Sequence, residues 1–238
     1  MTDSTIEALA VVVPVHNEER LLSRCLASVE AAVSRLSLPC TVFVVIDAST
    51  DGSWAVAQRH PFTVIEIGAR SVGAARSVGV AAALDHLAQV PHRRTWIANT
   101  DADSVVPPNW LTLQLKLARA GADVVIGTVR PEFTDLSPRH RQLWLDTHTR
   151  GHPNGHVHGA NLGLRGDVYR GAGGFSDAPE HEDVMLVDRC RAAGARVVAS
   201  DAAEVVTSGR LVGRTPGGYA AYLRDQHRAL GAVEPEPA

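Results

Sequence analysis

Ala8-Leu-Ala-Val-Val-Val-Pro-Val15, running into His16-Asn17-Glu18, is the stretch from which the fold can be read. Eight residues rich in β-branched side chains, without polar alternation, suit a strand buried on both faces, as in a parallel sheet covered by helices. After the polar turn the period changes. From Glu19 the apolar positions Leu21, Leu22, Cys25, Leu26, Val29, Ala32, Val33 and Leu36 recur at three and four, an amphipathic helix closed by Pro39. Thr41 to Ile46 is a second buried strand, and Asp47-Ala-Ser-Thr-Asp51-Gly52 is a polar turn that opens a second helix. Phe62 to Ile67 predicts a third strand, Val72 to Leu87 an Ala-rich helix, and Thr95 to Asn99 a fourth strand ending in Thr100-Asp101-Ala102-Asp103. Pro107 and Pro108 start a helix that ends near Gly121, and Asp123 to Val129 is a fifth strand. The repetition predicts an α/β fold: a Rossmann-like, doubly wound, mostly parallel sheet with helices on both faces.

Beyond residue 130 the pattern loosens. Pro131 to Gly155 reads as a helix plus irregular loops, Val157 to Leu164 as a strand, Val184 to Ala193 as an amphipathic helix and Tyr219 to Leu230 as a short helix before a frayed tail at 231–238. No linker separates the halves, so residues 1–230 are expected to form one domain. The 238 residues are 45% hydrophobic and 21% charged, which excludes a disordered chain. A net charge of −3 supplies no basic field for nucleic acid. The longest apolar runs fall short of a membrane span, and no basic segment leads an apolar one at the amino terminus. Three cysteines without a Cys-x-x-Cys pair argue against a disulfide framework and a zinc knuckle. The expected setting is cytoplasmic, with peripheral membrane association as the second expectation. Trp54, Trp96, Trp110 and Trp144 are scattered and read as packing residues.

In a parallel sheet, ligands sit beyond the carboxyl ends of the strands. The residues there are acidic: Glu18 with His16 and Asn17, then Asp47 and Asp51, then Asp101 and Asp103. Carboxylates gathered at one rim repel one another unless a cation or a donor-rich group lies between them. Asp101-Ala-Asp103 suits one hard cation shared with a diphosphate, and equally a helix cap. Asp47 suits acceptance of a nucleobase N–H, or a plain turn. Gly73 and Arg76, in Val72-Gly-Ala-Ala-Arg-Ser-Val-Gly79, lack the Gly-x-Gly-x-x-Gly order, which sets a dinucleotide site aside. His181-Glu182-Asp183 opens a helix, where acids serve either as a cap or as a general base. His156 and His158 would share a strand face, but no third ligand accompanies them at metal-binding spacing.

Taken together, these segments resemble the family 2 glycosyltransferases of the GT-A fold, over about Leu9 to Arg214. Val11-Val-Val-Pro14-Val-His16-Asn17-Glu18 resembles the family's opening Pro-x-x-Asn-Glu stretch, and Asp47-Ala-Ser-Thr-Asp51-Gly-Ser its Asp-rich turn, with Ile46 in place of the first Asp. Gly73-x-x-Arg76-x-x-Gly79 is similar to a region near the diphosphate, and Asp101-Ala-Asp103 to the Asp-x-Asp metal motif. Gly159-Ala-Asn161 through Arg165, with Gly173-Gly-Phe175, resembles the acceptor-side segment, and Glu182-Asp183 the Glu-Asp motif. The resemblance implies a donor half over about 8–130 and an acceptor half over about 131–230. It implies Asp183 as base; Pro14, His16, Glu18, Asp47, Gly73, Arg76, Asp101, Arg210 and Arg214 on the donor; and His158, Asn161 and Glu182 on the acceptor. Mn²⁺ or Mg²⁺ would sit on Asp103 and Asp101. The family's late histidine ligand is replaced by Val206-Thr-Ser208-Gly-Arg210. Arg210 and Arg214 are expected either to clamp the diphosphate or to lie in a solvated basic loop. The implied reaction moves a sugar from a nucleoside diphosphate sugar to an acceptor hydroxyl with inversion, UDP being favoured over GDP. The rival expectations are a retaining transferase and a catalytically silent nucleotide-sugar-binding protein.

Overall fold

The computed structural model describes residues 5–178, 180–213 and 217–232. Seven strands form one sheet in the order β3-β2-β1-β4-β6-β5-β7. Strands β1 (Ala8–Val15), β2 (Cys40–Asp47), β3 (Thr63–Ile67) and β4 (Thr95–Asn99) pair in parallel, as do β5 (Val124–Pro131) and β7 (Val197–Thr207). Strand β6 (Leu162–Arg165) lies between β4 and β5 and is antiparallel to both.

The unbroken apolar run of β1 has the expected cause. Leu9, Val11, Val13 and Val15 enter one core cluster, with helices α1 (Leu22–Val33) and α4 (Trp110–Arg119). Ala10 and Val12 enter the other, with α3 (Val72–His86) and α7 (Glu182–Ala192). The period-2 alternation of the strand thus feeds two cores at once. Ser71 caps α3 by accepting from the Ala74 amide.

The structure departs from the sequence reading at four places. Helix α2 is only Ser53–Ala57, and Trp54 on it is exposed, whereas Trp96, Trp110 and Trp144 are buried as expected. The strand expected at Val157 begins only at Leu162, because Gly159–Asn161 form a 3-10 turn. Strand β7 was not legible. Ser200, Asp201 and Glu204 interrupt its apolar residues, as an edge strand with one solvated face permits. Helix α6 (Gly166–Gly171) is likewise additional. Helix α5 (Pro138–Thr147) falls inside the predicted helix-plus-loop region, and α8 (Tyr219–Ala232) extends two residues past Leu230. Most of the anticipated tail, 233–238, lies outside the described residues.

Candidate active site

A cavity of about 1110 Å³ opens beyond the carboxyl ends of β1, β2 and β4. Its lining includes Asp47, Asp103 and Asp183, which lie on three separate segments of the chain. Pro14, His16, Glu18, Arg76, Asp101, His158, Glu182 and Arg210 also reach it. Asn161 and Gly73 do not. Asn161 is buried beneath the site, accepting from Trp110 Nε1 at 2.9 Å and donating to the carbonyls of Thr128 and Ala203. Its amide is consumed in joining β5, β7 and α4. Gly73 backs onto the Ser176 carbonyl, which a Cβ there would strike. Arg214 lies outside the described residues.

Among the described residues, the non-glycine positions with left-handed backbone are Asn17, Ala48, Arg70 and His181, and all four line this cavity. Such backbone costs about 1–3 kcal/mol per residue and persists where surrounding contacts enforce it, commonly at functional sites. Asp47 supplies part of that enforcement. Its two carboxylate oxygens accept from the amides of Arg70 at 2.8 Å and Ser71 at 2.7 Å, which fixes the turn into α3. The Asp47 carbonyl accepts from His16 Nδ1 at 2.7 Å, placing the imidazole proton on that nitrogen.

The acidic rim is held together by two arginines. Arg210 donates to Glu18 Oε1 at 2.6 Å and lies 2.9 Å from Asp103 Oδ2, so one guanidinium bridges the first and fourth strand ends. Burial pushes the Asp103 carboxyl up to about 6; Arg210 opposes the shift, and Asp101 and Glu18 add to it. Arg76 joins Asp101, at 2.5 Å, to Glu182. Asp183, the second residue of α7, accepts from the Gly159 amide at 2.6 Å and from the Val184 amide at 2.8 Å. His158 stands against Tyr219, and desolvation lowers its imidazole to about 4, with Asp183 opposing.

A hard cation finds oxygen donors here, the carboxylates of Asp101 and Asp103. No group of three His, Cys, Asp or Glu side chains among the described residues is placed to enclose an ion. The protein thus offers a partial shell, which fits a Mg²⁺ or Mn²⁺ completed by ligand phosphates and water. The unfavourable ionisation of Asp103 points the same way, since a cation relieves it.

A mostly parallel sheet with an acidic rim at its strand ends defines the architecture of GT-A glycosyltransferases. Residues 10–170 match the family model described as Glycosyl transferase family 2. The chain belongs to that family. Among curated proteins it is 30% identical over 139 residues to a dolichyl-phosphate hexose transferase of Haloferax volcanii, covering 58% of this chain and 55% of that protein. It is 32% identical over 140 residues to an undecaprenyl-phosphate 4-deoxy-4-formamido-L-arabinose transferase of Pseudomonas syringae pv. syringae, covering 56% and 39%. The chain therefore spans about half or less of the length of these relatives. Among solved structures, the mannosyltransferase PcManGT from Pyrobaculum calidifontis, in complex with GDP-Man and Mn²⁺, superposes with a TM-score of 0.63 at 19% identity, over 97% of this chain and 65% of that one. S. aureus TarS 1–349 in complex with UDP-GlcNAc gives 0.64 at 14% identity, over 94% and 66%. At these identities the likeness is one of fold.

Proposed function

We propose that the chain transfers a sugar from a nucleoside diphosphate sugar, UDP being the favoured nucleotide, to an acceptor hydroxyl with inversion at the anomeric carbon. The observation that carries this reading is the meeting of Asp47, Asp103 and Asp183 around one cavity. In this reading residues 8–130 hold the donor and 131–230 shape the acceptor side, with Arg210 reaching across to the donor's acids. Asp103 and Asp101 would hold Mn²⁺ or Mg²⁺, whose chemistry is neutralisation of charge on the departing diphosphate. Arg210, already seated between Glu18 and Asp103, is suited to engage the same phosphates through its planar fork. Asp183 takes the proton from the acceptor oxygen as that oxygen bonds to the anomeric carbon. The bond from that carbon to the diphosphate breaks, and the nucleoside diphosphate leaves with the electron pair.

The Asp183→Asn variant tests the base. Transfer is expected to fall by about 10²–10⁴-fold, the usual worth of general-base assistance, while UDP affinity measured by calorimetry stays at the wild-type level. Unchanged turnover removes Asp183 from the reaction. The curated relatives' names favour a second reading, a lipid-phosphate acceptor. A phosphate is already ionised near neutral pH and needs no base, so that reading expects transfer to survive in Asp183→Asn. No helix among the described residues is long and apolar enough to cross a membrane. Peripheral association from the cytoplasmic side accompanies the lipid-phosphate reading, and a cytoplasmic protein the first.

A further inference from the structure

The buried guanidinium of Arg76 has no counterpart in the reaction just described. It is 3% exposed, yet it sits between the acid rim and the first turn of α7. One Nη donates to Asp101 at 2.5 Å and the other to Glu182. The Phe175 ring lies 5.7 Å from its central carbon, and Nε is buried without a hydrogen-bond partner. Two glycines make room for this arrangement. A Cβ at Gly159 would collide with the guanidinium, and one at Gly73 with the Ser176 carbonyl and, at 3.2 Å, with Glu182. Gly159 is also the residue whose amide binds Asp183. The clamp and the proposed base therefore share a neighbour on one side and are successive residues, Glu182 and Asp183, on the other.

The local backbone needs such a clamp. His181, which precedes α7, is left-handed at φ 59°, and no side chain caps the helix there. Burial pushes the Glu182 carboxyl up, and the charge of Arg76 draws it back. Both hydrogen-bonding ends of the fork are spent on protein carboxylates, which leaves little of it for a phosphate.

We propose that Arg76 is a positioning residue that ties the first turn of α7 to Asp101 and thereby sets Asp183 at a fixed distance from the donor's rim. This inference rests on the transferase reading above, with Asp183 as base. It assigns Arg76 a different duty from the diphosphate contact that the sequence motif implies. Lysine keeps the charge but cannot reach two carboxylates with a fork.

The test compares wild type, Arg76→Lys and Glu182→Gln with three measurements. These are UDP binding with Mn²⁺ by calorimetry, amide hydrogen exchange over residues 159 and 181–186, and steady-state turnover. Turnover uses whichever of UDP-glucose, UDP-GlcNAc and GDP-mannose gives the largest thermal shift, with water as the acceptor. The expected result for both variants is UDP affinity within about threefold of wild type, faster exchange at the start of α7, and kcat lower by about 10²-fold with donor KM unchanged, the scale of a misplaced reacting group. A loss of UDP affinity in Arg76→Lys with exchange unchanged overturns the proposal and makes Arg76 a phosphate ligand. Faster exchange with unchanged kcat also overturns it, leaving a purely structural pair. If Arg76→Lys does not fold, Glu182→Gln carries the same comparison from the other side of the clamp. A wild-type protein that binds no UDP and turns over no donor defeats the transferase reading instead, and the exchange data still report on the clamp.

Discussion

At Asp103, burial raises the carboxyl from an ordinary 3.8 to about 6 against the pull of Arg210. The folded state binds that proton more tightly than the unfolded chain, so stability is lost as pH rises from about 3.8 through 6. Asp103→Asn is therefore expected to stabilise the ligand-free protein at pH 7 by about 1 kcal/mol, less than the full shift because the Arg210 pair is lost with it. The same variant is expected to lose the Mn²⁺-dependent part of UDP binding. Urea unfolding and calorimetry check the two effects. His158 has the opposite sign. Its folded imidazole titrates near 4 rather than 6.5, so the unfolded chain takes up the proton first and stability falls as pH drops from about 6.5 to 4. The contribution is at most about 3 kcal/mol. In His158→Gln, the urea midpoint is expected to fall less between pH 7 and pH 5 than in wild type.

Among the elements, α3 is the one most tightly fitted to the sheet. A Cβ at Gly79 would lie 2.5 Å from Val12 Cγ1 and 2.9 Å from Val45 Cγ2, so the helix rides directly on β1 and β2. Gly79→Ala adds helix propensity worth up to about 1 kcal/mol, but overpacking costs about 1–3 kcal/mol. The net expectation is a loss of about 1 kcal/mol in urea unfolding. Helix α3 also begins at the turn held by Asp47, so the substitution is expected to weaken UDP binding as well. At this scale the sequence was legible at β1 and β4, buried on both faces, which fall on the predicted residues. It was poor at the sheet's β7 edge, where Ser200 and Asp201 can face water and the apolar pattern is broken.

For the whole molecule, the acids beyond β1, β2 and β4 and Asp183 of α7 line one cavity, so a ligand that fills it couples them. Binding to the folded state alone stabilises by about 2.7 kcal/mol at a hundredfold excess over Kd. UDP with Mn²⁺ is expected to raise the melting temperature, and chelation of the metal to remove most of that increment. A rise that EDTA leaves intact would exclude the cation from the donor site.

The sequence by itself determined the alternating α/β architecture and the family, because buried parallel strands demand continuous apolar runs and the acids that follow them stand at fixed spacing from the strand ends. The tertiary structure alone decided what those acids do to one another. Arg210 and Arg76 reach their carboxylate partners across 192 and 106 residues of chain respectively, Asn161 is drawn inward by Trp110, and Gly73 is turned away from the cavity. Local patterning carries no record of such pairings, since they depend on how distant segments are brought together by the closing of the two cores.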